Sequence, residues 1–151
     1  MFGTFPEGRL QVLTHHTPDH MWQERYIACD NHVEGLTDVV ICVEDPAASA
    51  RALAGLTRRQ STDGRATDGR VEFDRGRVDY ATPEGLAALI PGAVPLDLPF
   101  MAAGGLLSRD IVKTTAFMKA RGVKISEGAD GPVIVDAADG LGCYLVIRGV
   151  S

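Results

Sequence analysis

The chain repeats one order of secondary-structure signals twice, and this repetition constrains its fold more than any other feature. In the first unit, the β-branched run at 39–43 leads to Asp45-Pro46, an N-cap and first-turn proline that open an alanine-rich helix over 46–57. In the second unit, the apolar run at 100–107 precedes a helix over 109–121, which Gly122 ends. This order predicts helices packed against a mixed sheet.

Further strands follow each helix. The first unit continues through turn-rich residues into a hairpin that turns at 74–76, and then a short helix opens at Pro83. The second unit continues with strands at 123–126, 132–136 and 143–148. We therefore predict one composite α+β domain: an N-terminal strand and long histidine-rich loop in 1–35, a βαββ unit in 36–92, and a βαβββ unit in 98–151.

Composition narrows the class of protein. Of the 151 residues, 45% are hydrophobic and 23% charged, the balance of a globular domain with a core of its own. The net charge of −5 argues against general binding of nucleic acid, and the absence of a signal peptide and of a long apolar stretch predicts a cytoplasmic protein without membrane contact. Cys42 and Cys143 lie in apolar runs and are predicted to be small buried hydrophobes.

The N-terminal segment 8–14 is predicted to be a strand, and it echoes the later passage 75–83. A lone strand leaves backbone groups unpaired on both edges, so it must pair with something. It either joins the sheet of its own chain or exchanges with a second copy. We predict a homodimer with contacts in 8–26. The alternative is that the chain is a fragment or half of a larger protein, whose folding a partner chain completes.

All four histidines fall within the first 32 residues, in a long irregular segment. His16 and His20 are four positions apart, which allows metal binding or acid–base work, and the alternative is loop structure or substrate contact. We predict His16 as a catalytic base and His15 and His20 as substrate-binding residues. Trp22 and Tyr26 are predicted to bind substrate as a pocket lid; the alternatives are an oligomer contact or a patch that pins the loop to the sheet.

Three passages resemble the glyoxalase-like proteins of the vicinal oxygen chelate superfamily: GRLQVLTHHTP, LTDVVICVEDPAASARALAGL, and LLSRDIVKTTAFMKARGV leading to LGCYLVIRG. The resemblance covers most of the chain. It implies paired βαβββ modules whose sheets curl into an open half-barrel around a small-molecule cavity, with the helices outside. It also implies, for many members, a divalent metal held by residues on the first and last strands of the modules.

Carried onto this sequence, the resemblance implies Asp38 as the first-strand ligand and Gln11 and Asp79 as last-strand ligands. Such oxygen ligands suit magnesium, manganese or calcium, and the identity of the divalent metal stays open. Ala103 and Val146, which carry no ligand atom, stand at the corresponding positions of the second unit. The other interpretation of Asp38 and Asp79 is that they are strand-edge or solvated carboxylates.

The resemblance implies a glyoxalase-like protein that acts on a small molecule. Such a protein would be a relative of the lyases, isomerases or dioxygenases that use a divalent metal. The metal would polarise adjacent substrate oxygens, and His16 or Asp79 would be the catalytic base. The alternative is a non-catalytic module that binds a small-molecule ligand in the same fold, so whether the chain is an enzyme stays open.

Overall fold

The computed structural model describes residues 5–8, 10–11, 13–21, 23, 25, 30–63, 68–127 and 131–150. The helices of these residues are α1 Pro18–Met21, α2 Pro46–Thr57, α3 Pro83–Leu89 and α4 Ile111–Lys119. The strands are β1 Val33–Cys42, β2 Ser61–Thr62, β3 Gly69–Glu72, β4 Arg77–Ala81, β5 Phe100–Ser108, β6 Ile125–Glu127, β7 Val133–Val135 and β8 Tyr144–Gly149. Among the helices described, none has the length and apolar character that crossing a membrane requires.

The strands form one curled, unclosed sheet in the order β2-β3-β4-β1-β5-β8-β7-β6. Within each half, the strand before the helix lies parallel to the last strand of the same half: β1 to β4, and β5 to β8. The two halves join where β1 and β5 pair antiparallel. The predicted α+β architecture of two βαβββ-type modules in a curled mixed sheet is therefore confirmed.

Local signals explain the two long helices. The side chain of Asp45 accepts a hydrogen bond from the backbone N–H of Ala48 at the start of α2, with Pro46 in the first turn. Asp110 caps α4 in the same way, through the N–H of Lys113, and Gly122 adopts φ +75° just after that helix. Both helices lie where the sequence predicts them.

Both helices pack on one face of the sheet, which we call the helix face. Ala50, Leu53 and Ala54 of α2 pack with Val71 and Tyr80 of the sheet. Met118 of α4 packs against a second cluster formed by Val133, Val135 and Ile147. Successive residues of a strand point to opposite faces, so the residues that alternate with these belong to the other face, which we call the inner face.

The inner face is apolar at one end. Val40 and Cys42 of β1 meet residues of β4, β5, β7 and β8 there. Helix α3 covers this end, because its Leu86 and the residue that follows the helix, Ile90, are buried in the same cluster. The hydroxyl of Tyr144 accepts a hydrogen bond from the N–H of Val94, which ties the 91–99 connection to β8 (3.3 Å). The inner face is therefore filled by the protein itself at this end.

Two details differ from the sequence-based prediction. In the segment 8–14, residues 8, 10, 11, 13 and 14 are described and none is in a strand, so the predicted N-terminal strand is wrong for these positions. The turn-rich segment after α2 contains a short strand, β2, which pairs with β3. Ser61 and Thr62 lack the apolar alternation by which a buried strand is recognised, because both are exposed.

Candidate functional site

A cluster of charged side chains occupies the other end of the inner face. Asp38 on β1 and Asp79 on β4 are only 4% and 3% exposed. The two strands run parallel, with Asp38 opposite Arg77 and Asp79 opposite Val40. The structure thus brings two of the three predicted metal-binding residues onto adjacent strands of one face, next to its apolar end.

Two arginines hold Asp79. Arg70 of β3 donates from Nε to Oδ1 (2.5 Å) and from a terminal nitrogen to Oδ2 (3.2 Å). Arg77 donates from Nε to Oδ2 (2.9 Å). Both carboxylate oxygens of Asp79 therefore accept charge-assisted hydrogen bonds, which are the stronger class of hydrogen bond in proteins.

Asp38 is held from both halves of the sheet. Its Oδ1 accepts hydrogen bonds from the Thr37 hydroxyl (2.8 Å) and from Nη1 of Arg148 (3.2 Å), and it lies 3.5 Å from Nη2 of Arg77. Arg148 belongs to β8, so its side chain reaches Asp38 across β5. Gly105 makes this approach feasible, because a side chain there would overlap the carboxylate of Asp38.

The three arginines are accessible as well as paired. The side chains of Arg70, Arg77 and Arg148 are 27%, 30% and 42% exposed, whereas the two aspartates are buried. Burial by itself lowers the pKa of Arg77, but the hydrogen bond to Asp79 and the charges of Asp38, Asp79 and Glu72 outweigh it and raise that pKa. The cluster therefore presents permanent positive charge at its solvent side.

The donor set does not fit a divalent metal. Both oxygens of Asp79 and one oxygen of Asp38 already accept hydrogen bonds from the arginines. The three guanidinium groups that surround these carboxylates would repel a divalent cation. Ala103 and Val146 are packed in the apolar cluster. In the part of the chain that the structure describes, no group of three or more His, Cys, Asp or Glu side chains can hold a metal ion.

Gln11, the third predicted metal ligand, lies elsewhere. It lines a pocket of about 510 Å³ together with Ile41, Val78 and Tyr80. These three strand residues alternate with Asp38, Val40 and Asp79, so the pocket is on the helix face. The structure therefore does not bring Gln11 together with the two aspartates.

The predicted histidines are on the surface. His15, His16 and His20 are exposed, in and just before the single turn of α1. None of the three shares a hydrogen bond or an ion pair with Asp38 or Asp79 within the described residues. Trp22 and Tyr26, predicted to contact substrate, lie outside the described residues.

Cys42 behaves as the sequence predicts, since its side chain is fully buried. Burial, followed by the negative charge of Glu84, raises the pKa of this thiol. It is therefore a neutral core residue. Cys143 is partly buried, and its thiol donates to the carbonyl oxygen of Gly140 (3.4 Å).

Sequence reasoning missed the three arginines. A signal for two of them was present, because Arg77 and Asp79 are two positions apart on a predicted strand and so share a face. Arg70 immediately precedes the predicted hairpin, and in the structure it lies opposite Asp79. Arg148 lies two positions beyond Val146, on the same face of β8, but its partner Asp38 is 110 positions away.

Several solved structures with a similar fold are methylmalonyl-CoA epimerases. A methylmalonyl-CoA epimerase from Mycobacterium tuberculosis superposes over 85% of this chain and 96% of its own, with a TM-score of 0.62 and 12% identity. A Streptomyces coelicolor methylmalonyl-CoA epimerase in complex with 2-nitronate-propionyl-CoA covers 77% and 95%, with a TM-score of 0.53 and 12% identity. A methylmalonyl-CoA epimerase in complex with methylmalonyl-CoA and NH4+ covers 75% and 93%, with a TM-score of 0.51 and 11% identity.

No family model matches the sequence, and no curated protein does. At such low identity, the superpositions establish the fold alone. The chain has the glyoxalase-like fold that its resemblance to the vicinal oxygen chelate superfamily predicted.

Proposed function

We propose that this chain binds a small organic anion through the arginines of the inner face. One observation carries the proposal: Arg70, Arg77 and Arg148 converge on two buried carboxylates, which leaves one positive charge in excess. Glu72 lies 3.9 Å from Arg70 with 62% of its side chain exposed, so solvent weakens its compensation of that charge. A positive site on a chain of net charge −5 favours an anionic ligand.

Carboxylates are the class of anion that we propose. The planar guanidinium group matches a carboxylate in bidentate geometry. Epimerase neighbours are described with methylmalonyl-CoA, a thioester that itself carries a carboxylate, and with a nitronate analogue of an acyl-CoA. The apolar end of the inner face beside the arginines is filled by the protein itself, so such an acid would meet the guanidinium groups from their solvent side.

Calorimetric titration tests this proposal. The ligands are methylmalonate and methylmalonyl-CoA, with the uncharged amide of methylmalonate as the matched control. We expect the acids to bind and the amide not to bind. Arg148→Gln should weaken binding about tenfold, because it removes the most exposed charge of the cluster. Arg59→Gln, which alters an ion pair with Asp74 outside the cluster, should leave binding unchanged.

The proposal fails if no acid binds the wild-type chain, or if Arg148→Gln and Arg59→Gln have the same effect. Because Arg148 makes one ion pair with Asp38 and its side chain is 42% exposed, we expect Arg148→Gln to keep its fold. Circular dichroism of the variant checks this.

An isomerase-type reaction is the second candidate, and the epimerase neighbours favour it. Such a reaction removes a proton next to a carbonyl and returns it, so it requires a base with a lone pair directed at the substrate. Both oxygens of Asp79 are engaged by arginines, and His16 is exposed. The geometry therefore favours binding over catalysis. Loss of the α-proton signal of methylmalonyl-CoA in D2O, measured by NMR, would overturn that preference.

A further inference from the structure

We propose that the Arg77 guanidinium is the resident cation of the inner face, occupying the place between Asp38 and Asp79 that a divalent metal would need. Two buried carboxylates on adjacent strands of one face are the usual start of a site for a hard cation. In this chain, the terminal Nη2 of Arg77 lies 3.5 Å from Asp38 and its Nε lies 2.9 Å from Asp79. One side chain thus joins both carboxylates.

The surrounding charges are consistent with this role. Arg70 engages Asp79 from the β3 side, and Arg148 engages Asp38 from the β8 side. A divalent ion added to this arrangement would meet three fixed positive charges, whereas only two buried negative charges attract it. The second half of the sheet contributes Gly105, Ala103 and Val146 nearby, and none of these side chains carries a ligand atom.

Exclusion of a divalent cation by Arg77 does not depend on which anion the protein binds. If the Arg77 guanidinium fills the space between Asp38 and Asp79, then removing it should open that space and leave each carboxylate with a single arginine partner. These carboxylates should recruit a divalent cation that the wild-type chain rejects.

The experiment measures binding of Mn2+ by the full chain, from the loss of the electron paramagnetic resonance signal of the free ion. We expect the wild-type protein to bind no Mn2+ at this site, and its melting temperature to be the same with Mn2+ and with a chelator. Arg77→Gln should bind one equivalent, at least about tenfold more tightly than wild type, and its melting temperature should rise with Mn2+. Adding Asp79→Asn to Arg77→Gln should abolish the gain.

Two results would overturn the inference. The first is a wild-type protein that binds Mn2+ in a manner abolished by Asp38→Asn. The second is a folded Arg77→Gln variant whose affinity for Mn2+ equals that of wild type. If Arg77→Gln does not fold with or without Mn2+, Arg148→Gln decides the matter: it frees one contact of Asp38 but leaves Arg77 in place, so a folded Arg148→Gln that binds Mn2+ more tightly than wild type contradicts the proposal.

Discussion

Gly105 is the residue that permits the two halves of the sheet to share one charge cluster. A side chain there would overlap the Asp38 carboxylate, which Thr37 and Arg148 hold in place. We expect Gly105→Ala to lower the free energy of unfolding by about 1–3 kcal/mol, because the carboxylate must move and weaken its contacts. The measurement is urea denaturation.

Gly104→Ala is the matched control for that substitution. The nearest atom to its added methyl group is Cδ1 of Leu36, at an ordinary contact distance of 3.6 Å. Its effect should remain within about 0.5 kcal/mol. Equal stabilities of the two variants would contradict the role assigned to Gly105.

Tyr80 is buried on the helix face, with 1% of its surface exposed. Burial, followed by the negative charge of Glu7, raises its pKa from 10.0 to about 12. The folded state therefore holds the phenolic proton more tightly than the unfolded state does. The stability from this group is fully present below pH 10 and is lost as the pH rises towards 12.

Urea denaturation at a series of alkaline pH values tests this effect. We expect the wild-type free energy of unfolding to fall by about 2–3 kcal/mol between pH 10 and 12 through Tyr80, and Tyr80→Phe to lack this part of the decrease. Parallel pH profiles of the two proteins would disprove the assignment.

Among the elements, α2 packs tightly against β3 of the sheet. Ala50 is 1% exposed, and a methyl group on Gly69 of β3 would lie only 2.8 Å from the Ala50 methyl. There is no room for a larger side chain and no partner for a charge at this contact. Ala50→Asp should therefore cost about 3–4 kcal/mol of stability, through an unpaired buried carboxylate and steric overlap.

Ala52→Asp gives the comparison within the same helix, because Ala52 is exposed. The loss of intrinsic helix propensity is the same in both variants, so the difference between their melting temperatures reports the effect of burying the carboxylate alone. A similar melting temperature for both variants would mean that the buried side of α2 has been assigned to the wrong residues.

For the molecule as a whole, the prediction is a homodimer with contacts in residues 8–26. The described part of this segment contains Leu10 and Leu13, which are 45% and 70% exposed. With Leu56, which is 50% exposed, they line the pocket on the helix face. Exposed apolar side chains grouped in this way favour a protein contact. Because no described residue of 8–14 is in a strand, we expect side-chain packing to form the contact.

Sedimentation velocity measures this assembly. We expect the wild-type chain to sediment as a dimer at micromolar concentration and Leu13→Asp to sediment as a monomer. Leu141→Asp, which changes an equally apolar residue that is fully exposed before β8, should leave the dimer intact. A wild-type monomer at high concentration would rule out the dimer, and a dimer that survives Leu13→Asp would place its contact elsewhere.

Signals within a few residues of each other in the sequence account for the two long helices and for their order. The Asp45 and Asp110 caps, Pro46 and the Gly122 turn act within a few residues of the helices that they bound, so α2 and α4 could be predicted. The described residues of 8–14 are not in a strand although their sequence alternates, because such a short alternating pattern occurs in irregular segments as well.

The composition of the candidate site, in contrast, depends on contacts between residues that are distant in the sequence. The sequence pointed to Asp38 and Asp79, but the character of a carboxylate depends on its neighbours in space. Arg148 of β8, which donates a hydrogen bond to Asp38, is 110 positions away from it in the sequence. The two side chains can meet because β5, the strand between them, has Gly105 beside the Asp38 carboxylate. Guanidinium groups brought together in this way turn two predicted metal ligands into a positively charged cluster, since electrostatic interaction depends on distance in the fold and not on separation along the chain.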